Sequence, residues 1–429
     1  MQPLAHPATV RPSSAAGRDG PHRVYALILL MLVYTCHSID RGIVSVVLEP
    51  VKREFHVSDK VMGFVPLAYS LAFIVAVLPL GSLIVRVHRV RLLALLLAIW
   101  SLMTATAGLV ASIALLIVAR MGVGAAEAGG QPISLSLLSD IFHQRRRASA
   151  LGVFYLATGF GSIFAFLGGA LITADHGWRA TFLMGGVPGL ILVPVLLLTL
   201  REPRRGAMDA APVADSKLVR QSMAAALRFA VGSPAIRMIL AGTLLSSFVL
   251  GSFIQWVPAF LMREHGFTIR VAGLSAAFAG GLMPACGAIV CGFVADRLGR
   301  DRPERVGLTC AFSLVAMALA GIAFTLVSNA MVTIACLVLF GFFGGGWMAP
   351  SLALLIGLTP TTQRGAVMAF GQIFTALGSG VGPFIVGWLS DAFHSLGPAL
   401  ACGAAVGFGA MLLYVGGVAR AGRLLESRG

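Results

Sequence analysis

The sequence predicts an all-α polytopic membrane protein, with twelve transmembrane helices in two six-helix repeats and both termini in the cytoplasm. Three observations carry this expectation. Of the 429 residues, 58% are hydrophobic and only 11% are charged, with a mean hydropathy of +0.90, whereas a soluble domain carries about 25% charged residues. Apolar segments recur near the length of about 20 residues that a helix needs to cross roughly 30 Å of hydrocarbon. The basic residues also lie to one side: with both termini cytoplasmic, 24 of the 32 Lys and Arg fall on that face, 6 on the other and 2 inside helices, which is the positive-inside asymmetry.

Taken in order, the spans are expected at 24–48, 61–85, 92–110, 112–137, 149–173, 180–200, 236–261, 271–295, 306–327, 330–357, 366–389 and 398–419. Span 1 is apolar except for "CHSIDRG", and span 2, "VMGFVPLAYSLAFIVAVLPLGSLIV", carries no charge. Span 3 is rich in leucine, and span 4 is interrupted by Arg120 and Glu127. Spans 5 and 6 are separated by a short polar turn around "ADHGWR". Spans 7 to 12 repeat this sixfold pattern without a charge near their centres.

Residues 1–22 form a polar cytoplasmic tail, 23–200 the first bundle, 201–235 a linker, 236–420 the second bundle and 421–429 a closing tail. The tail lacks an apolar core and cleavage site, so span 1 itself is expected to direct insertion. The linker, "REPRRGAMDAAPVADSK", is basic and rich in Ala and Pro, with room for one amphipathic turn at "RQSMAAALRFA". The net charge of +15 and pI near 10.7 do not point to nucleic acid, because runs such as "HQRRRAS" sit where topology signals and lipid phosphates are met. The six cysteines (36, 286, 291, 310, 336, 402) all lie in spans without a CxxC pair, and no metal or other cofactor is expected. Trp178 and Trp388, near span ends, are expected as interfacial anchors.

The two halves repeat one another. "GSLIVRVHRVR" starts at Gly81 and "GFVADRLGRDR" at Gly292, 211 residues later; "RASALGVFYLATGFGS" from Arg147 and "RGAVMAFGQIFTALGS" from Arg364 are 217 apart. Parallel repeats about an axis along the membrane normal, with a site at their interface, describe one large transporter class.

"GFVADRLGRDR" resembles the signature loop of the major facilitator superfamily. That resemblance implies a conformational latch of Gly292, Asp296, Arg297, Gly299 and Arg300 on the cytoplasmic side. Several further stretches, "DRGIVSVVLEPVKREF", "RMGVGAAEAGGQP", "GWRATFLMGGVPGLIL" with "LREPRRG", and "WVPAFLMREHGFT", resemble spinster-type members and the anion:cation symporters. The resemblance implies a secondary transporter that rocks two bundles, with an acidic residue of span 1 or span 4 carrying the proton. In the first half Val85 stands where the loop's Asp is expected and His88 where its Gly is, so that latch should be weak or replaced.

Intramembrane charges mark the site. Asp40, Arg41, Arg120 and Glu127 each cost at least about 2.5–3.5 kcal/mol at the bilayer centre, so they should face the bundle interior or a wet cavity. Asp40 and Arg41 point about 100° apart, while Arg120 and Glu127 share a face about 10 Å apart along the axis. The pairs expected are Asp40 with Arg120 and Arg41 with Glu127. A structural ion-pair network is the rival reading, but the matching positions of spans 7 and 10, "TLLSSFVLGSFIQW" and "LFGFFGGGWMAP", hold no charge.

Proton coupling is therefore expected at Asp40, Glu127 and His37, the last being a proton partner or merely a hydrogen-bonded residue. The substrate-binding set is Arg41 and Arg120, with Tyr34, Tyr69, Gln131, Gln255, Trp347 and Gln372 as cavity-lining candidates. Two arginines suit a carboxylate, phosphate or sulfonate; an apolar wall of Phe342, Phe343, Trp347 and Met348 suits an amphipathic one. The expected partners are a small or amphipathic organic anion, protons and the lipid bilayer, for a monomer in the cell inner membrane. An exporter of lipid-like compounds, a non-transporting receptor and a membrane enzyme are the alternatives. No HExxH or GxSxG favours the last.

Overall fold

The computed structural model describes residues 20–205, 228–299, 305–360 and 363–426. Among the described residues, eleven helical runs are long and apolar enough to cross a membrane. One of them, Ser149–Thr199, has 51 residues and would be about 77 Å long if straight. It is not straight. Gly177 adopts φ 80°, ψ 167°, and Thr173 Oγ1 lies 2.7 Å from Thr181 Oγ1, with Thr181 Oγ1 only 3.5 Å from the Gly169 carbonyl oxygen. Twelve residues of straight helix would separate the latter pair by about 18 Å. The run is thus two passes folded back at Gly177, which gives the sequence's spans 5 and 6.

Span 1 is Gly20–Phe55, span 2 Asp59–Ile84 and span 3 Arg89–Ala107. Span 4 breaks after its charged face, into Ile113–Glu127 and Gly130–Ile141. Span 5 starts at Gln144–Ile163, passes a π-helical turn at Phe164–Gly168, and enters Gly169–Thr199, which contains the reversal and span 6. Span 7 is Pro234–Glu264. Span 8 is Ile269–Ala277, a π-helical turn Phe278–Leu282, and Met283–Leu298. Span 9 is Val306–Leu326. Span 10 breaks at Trp347 into Ala330–Gly346 and Met348–Leu358, and spans 11 and 12 are Arg364–Phe393 and Leu396–Glu426.

Backbone geometry carries the repeat. The four described residues with positive φ are His56, Gly177, Gly266 and His394. His56 and Gly266, which end spans 1 and 7, are 210 apart, and Gly177 and His394, between spans 5 and 6 and spans 11 and 12, are 217 apart. Ser58 and Thr268, also 210 apart, cap spans 2 and 8 through their side-chain oxygens.

The halves meet where span 1 faces span 7, span 2 faces span 11 and span 5 faces span 8. At the end carrying the span 1–2 connection they are tied by charge. Arg263 of span 7 contacts Asp59 Oδ2 at 2.7 Å and Glu49 Oε2 at 2.8 Å. Lys52 Nζ lies 2.6 Å from Asp59 Oδ1, and Ser390 Oγ donates to Asp59 Oδ2 at 2.7 Å. Asp391 accepts the Asp59 and Lys60 amides at 2.9 and 2.8 Å, and Arg270 bonds Asp175. Because Asp391 ends span 11 beside the start of span 2, the chain finishes at the same end at which span 1 began.

At that opposite end the first half holds a buried charge cluster of its own. Arg89, 1% exposed, reaches Asp140 Oδ2 at 2.5 Å and Glu202 Oε1 at 2.7 Å and donates to Ser136 Oγ at 2.9 Å and the Pro203 carbonyl at 3.0 Å. Arg205 caps span 2 by donating to the carbonyls of Ile84, Val85 and Val87. Burial raises the Glu202 pKa, but hydrogen bonds from Arg89 and the Val90 amide outweigh it and hold the carboxyl below its ordinary value. The stabilisation this represents is full above about pH 4.3 and is lost as pH falls through the lowered value. Arg89→Ala is expected to remove roughly 3 kcal/mol, read as a lower thermal midpoint in detergent; an unchanged midpoint would show that the network contributes nothing.

One expectation needs correction. Trp178 is not a lipid-facing anchor: it is 4% exposed, and its Nε1 donates to Glu54 Oε2 at 2.6 Å, because the reversal at Gly177 turns it against span 1. Trp388, 51% exposed, has the exposure of an anchor. Most of the linker, including most of "RQSMAAALRFA", and Arg300 of the latch lie outside the described residues.

Candidate functional site

Spans 1, 2 and 4 bring six of the sequence-selected residues into one cluster. Asp40, Arg120, Glu127, His37 and Tyr69 are buried, at 1%, 2%, 1%, 7% and 7% exposure. Gly124 makes the packing of span 2 on span 4 possible, since a Cβ there would collide with the Tyr69 carbonyl. The Tyr69 ring therefore sits against span 4, between the levels of Arg120 and Glu127.

The expected pairs do not form as drawn. Arg120 Nη2 donates to the main-chain carbonyl of Asp40 at 3.1 Å, not to its carboxylate. Glu127 takes the Tyr69 hydroxyl as donor, and its Oε2 lies 3.0 Å from His37 Nδ1; Arg41 is not its partner. The reason is register. Spans 1 and 4 run antiparallel, so the seven residues from Arg120 to Glu127 step about 10 Å back along span 1, away from Arg41 and past His37. Arg41 lies on the wrong side of Asp40.

What remains is a set of unfilled polar groups. Arg120 Nε and Nη1 and Asp40 Oδ1 are buried without a hydrogen-bond partner, as is Glu127 Oε1. Arg41 is exposed although it lies at mid-span, and it has no ion-pair partner among the described residues. Its Cζ is 5.9 Å from the Tyr69 ring centroid, and that of Arg120 is 5.5 Å away. Each such contact contributes about 0.5–2 kcal/mol, less than a paired charge gains, so both guanidinium groups keep donors for an anion.

A chain of aromatic groups continues the cluster toward span 5. Tyr34 stacks on His37 at 5.1 Å and on Phe154 at 4.7 Å, and meets Tyr155 edge-on at 6.1 Å. Gln131 donates to the Tyr155 hydroxyl at 3.2 Å. Tyr34 and Gln131 thus belong to the same side of the molecule as the charges. The second-half candidates are not joined to it by any hydrogen bond or ring contact among the described residues. Gln255 and Trp347 are buried with Nε2 and Nε1 unpartnered, and Gln372 is exposed. Phe342 and Phe343 stack edge-on at 5.2 Å. A separate apolar pocket crosses the halves, lined by Phe166, Leu250, Phe253, Ala276 and Phe340 among others.

Gly292 and Gly299 are half-buried, while Asp296 and Arg297 are exposed. Sequence reasoning missed the two tying clusters, Glu49, Asp59 and Arg263 at one end and Arg89, Asp140 and Glu202 at the other. It assigned these charges to loops or span ends. One signal was available: Arg53 and Arg263 are 210 apart, the repeat offset, and both converge on Glu49, at 3.3 and 2.8 Å.

Comparison with known proteins agrees with this architecture. The Major Facilitator Superfamily profile matches residues 30–356. An MFS-type efflux pump of Mycolicibacterium smegmatis is 30% identical over 394 residues, covering 90% of this chain and 89% of that protein. Human protein spinster homolog 1 is 28% identical, covering 85% and 73%, and a probable L-galactonate transporter of Escherichia coli is 26% identical, covering 90% and 87%. Among solved structures, a bacterial homolog of the human lysosomal transporter spinster, inward-facing and unoccupied, superposes with a TM-score of 0.79 at 24% identity, covering 94% of this chain and 96% of that one. With two bundles related by repeat, a charged site in the first, and this match over most of its length, the chain belongs to the major facilitator superfamily and is a spinster-like multi-pass membrane transporter.

Proposed function

We propose that the protein is a proton-coupled secondary transporter of a small organic anion, working as a monomer in the cell inner membrane by alternating access between its two bundles. The observation that carries this reading is the pair of guanidinium groups on the Tyr69 ring, Arg41 without an ion-pair partner and Arg120 with two nitrogens unfilled among the described residues. A carboxylate or phosphate supplies what both lack. The tie among Glu49, Asp59, Arg263 and Ser390 closes one end, and the latch of Gly292, Asp296, Arg297, Gly299 and Arg300 is assigned to close the other in the opposite state.

Coupling follows from competition. Asp40 Oδ1 has no donor, and an ionised carboxylate so placed is costly unless it is paired or protonated. When the anion draws Arg120 away, Asp40 loses its nearest cation and takes up a proton; the two fluxes are then linked. Glu127 keeps a donor of its own in Tyr69 and has His37 Nδ1 3.0 Å from Oε2, which favours Asp40 as the coupling acid. Gln131, Tyr34, Gln255, Trp347 and Gln372 are assigned to the cavity wall.

Relatives that move sugar acids, the probable L-galactonate transporter and a probable galactarate/D-glucarate transporter of Bacillus subtilis, support hydrophilic carboxylates. The second reading is export of apolar or lipid-like compounds, favoured by the pocket around Phe166, Phe253 and Phe340 and by the efflux-pump relative. Purified protein in liposomes decides between them, with labelled hexonates and hexarates in one arm and a hydrophobic dye in the other, each under a pH gradient. Saturable anion accumulation driven by the gradient is expected. Asp40→Asn should still exchange the anion by counterflow yet fail to concentrate it, and Glu127→Gln should lose less. Accumulation intact in both variants would overturn coupling through this site, and dye movement alone would overturn the anion.

A further inference from the structure

We infer that Tyr69 is the positioning residue that connects the anion-binding arginines to the acid of span 4. This deepens the function proposed above and rests on it. Three facts converge on one side chain. Its ring lies within reach of both guanidinium groups, Cζ of Arg41 at 5.9 Å and Cζ of Arg120 at 5.5 Å from the centroid. Its hydroxyl donates to Glu127 Oε2, the same oxygen that faces His37 Nδ1. Span 4 backs it with Gly124, where any side chain would meet the Tyr69 carbonyl and ring.

The ring therefore cannot retreat into span 4, and it cannot turn without giving up either Glu127 or an arginine. An anion held by Arg41 and Arg120 pulls both cations from the ring toward itself. The ring follows, and its hydroxyl shifts on Glu127, or it stays, and without the two cations its hydroxyl donates to Glu127 less strongly. Titratable and charged groups around that carboxylate are His37, Asp40 and Arg41 from span 1 and Arg120 from its own span, with Tyr34 beyond His37. Among the described residues, Tyr69, from span 2, is the one neutral group seen to contact both the acid and the two arginines. It is also a group that no simple charge-pair scheme would require.

Two substitutions separate its parts. Tyr69→Phe keeps the ring under the arginines and removes the donor to Glu127; Tyr69→Leu removes both. In proteoliposomes, Tyr69→Phe is expected to leave the counterflow KM for the transported hexonate within about twofold while lowering pH-driven accumulation roughly tenfold, the scale of one hydrogen bond to a charged group. Its pH profile should move relative to the unaltered protein. Tyr69→Leu should raise the counterflow KM as well. A merely structural Tyr69 would lower the thermal midpoint and total activity without splitting KM from coupling. If the unaltered protein moves no organic anion, the proposed function fails. If it does, and Tyr69→Phe matches it in both KM and accumulation, the role of Tyr69 fails alone.

Discussion

Replacing Arg120 by lysine is expected to weaken binding of the transported anion by tenfold or more, even though the charge is kept. Arg120 uses one nitrogen on the Asp40 carbonyl at 3.1 Å and holds Nε and Nη1 free of any partner. A planar guanidinium can serve a fixed carbonyl and a ligand together, whereas an ammonium is a single point with a large hydration demand and no fork. A lysine here would present its three donors from a single atom, which cannot span the positions that the separate guanidinium nitrogens reach. Loss of one charge-assisted contact is on the order of 1.5–3 kcal/mol, roughly tenfold to a hundredfold. Counterflow KM in liposomes reads it directly, with the thermal midpoint as the control for folding. Arg41→Lys should weaken binding in the same direction, since Arg41 offers its whole fork without an ion-pair partner. Normal affinity in Arg120→Lys would remove this arginine from recognition and leave the structural network as the better account.

The second large effect is expected at the tied end. Arg263 is the only cation of the second bundle seen to reach both Glu49 and Asp59 among the described residues, at 2.7 Å to each. Without it, Lys52 and Arg53 still neutralise those acids from their own half, so Arg263→Ala removes two of the charge contacts between the halves and strands no charge. The pair is partly exposed, with the Arg263 side chain at 20%, and solvent screening discounts its contribution to about 2 kcal/mol. That shifts an equilibrium between two openings roughly thirtyfold. Spin labels at Lys60→Cys and Ala392→Cys, one in each bundle beside the tie, should separate in the Arg263→Ala background, and net transport should fall while the fold survives. A label distance that does not move would show that the contacts of Ser390 and Asp391 with the start of span 2, the Arg270–Asp175 bond and the packing of span 2 on span 11 hold this end shut without Arg263.

How far the sequence reached differs between levels. Membrane spans were legible because the requirement is nearly one-dimensional: every backbone amide must be satisfied inside the bilayer, which only a helix of sufficient apolar length does. The same logic made Asp40, Arg41, Arg120 and Glu127 stand out, since a charge in hydrocarbon is too costly to be incidental. The duplication was legible in "GFVADRLGRDR" and "RGAVMAFGQIFTALGS", and it returns in the backbone as the positive-φ pairs His56 with Gly266 and Gly177 with His394.

Partner choice was not legible. Helical periodicity says that Arg120 and Glu127 share a face, yet whether Glu127 meets Arg41 or His37 depends on how far span 1 is slid against span 4, a distance no local pattern encodes. The tying clusters escaped for the same reason. Glu49, Asp59 and Arg263 read as ordinary end-of-span charges until span 7, more than two hundred residues further along the chain, places Arg263 within 2.9 Å of both acids on spans 1 and 2. The sequence by itself determined the spans, the repeat and four of the charges that gather at the site. The tertiary structure alone decided which of those charges found partners and which were left with donors to spare, because pairing depends on the relative depth and rotation of helices that touch only after the bundle has packed.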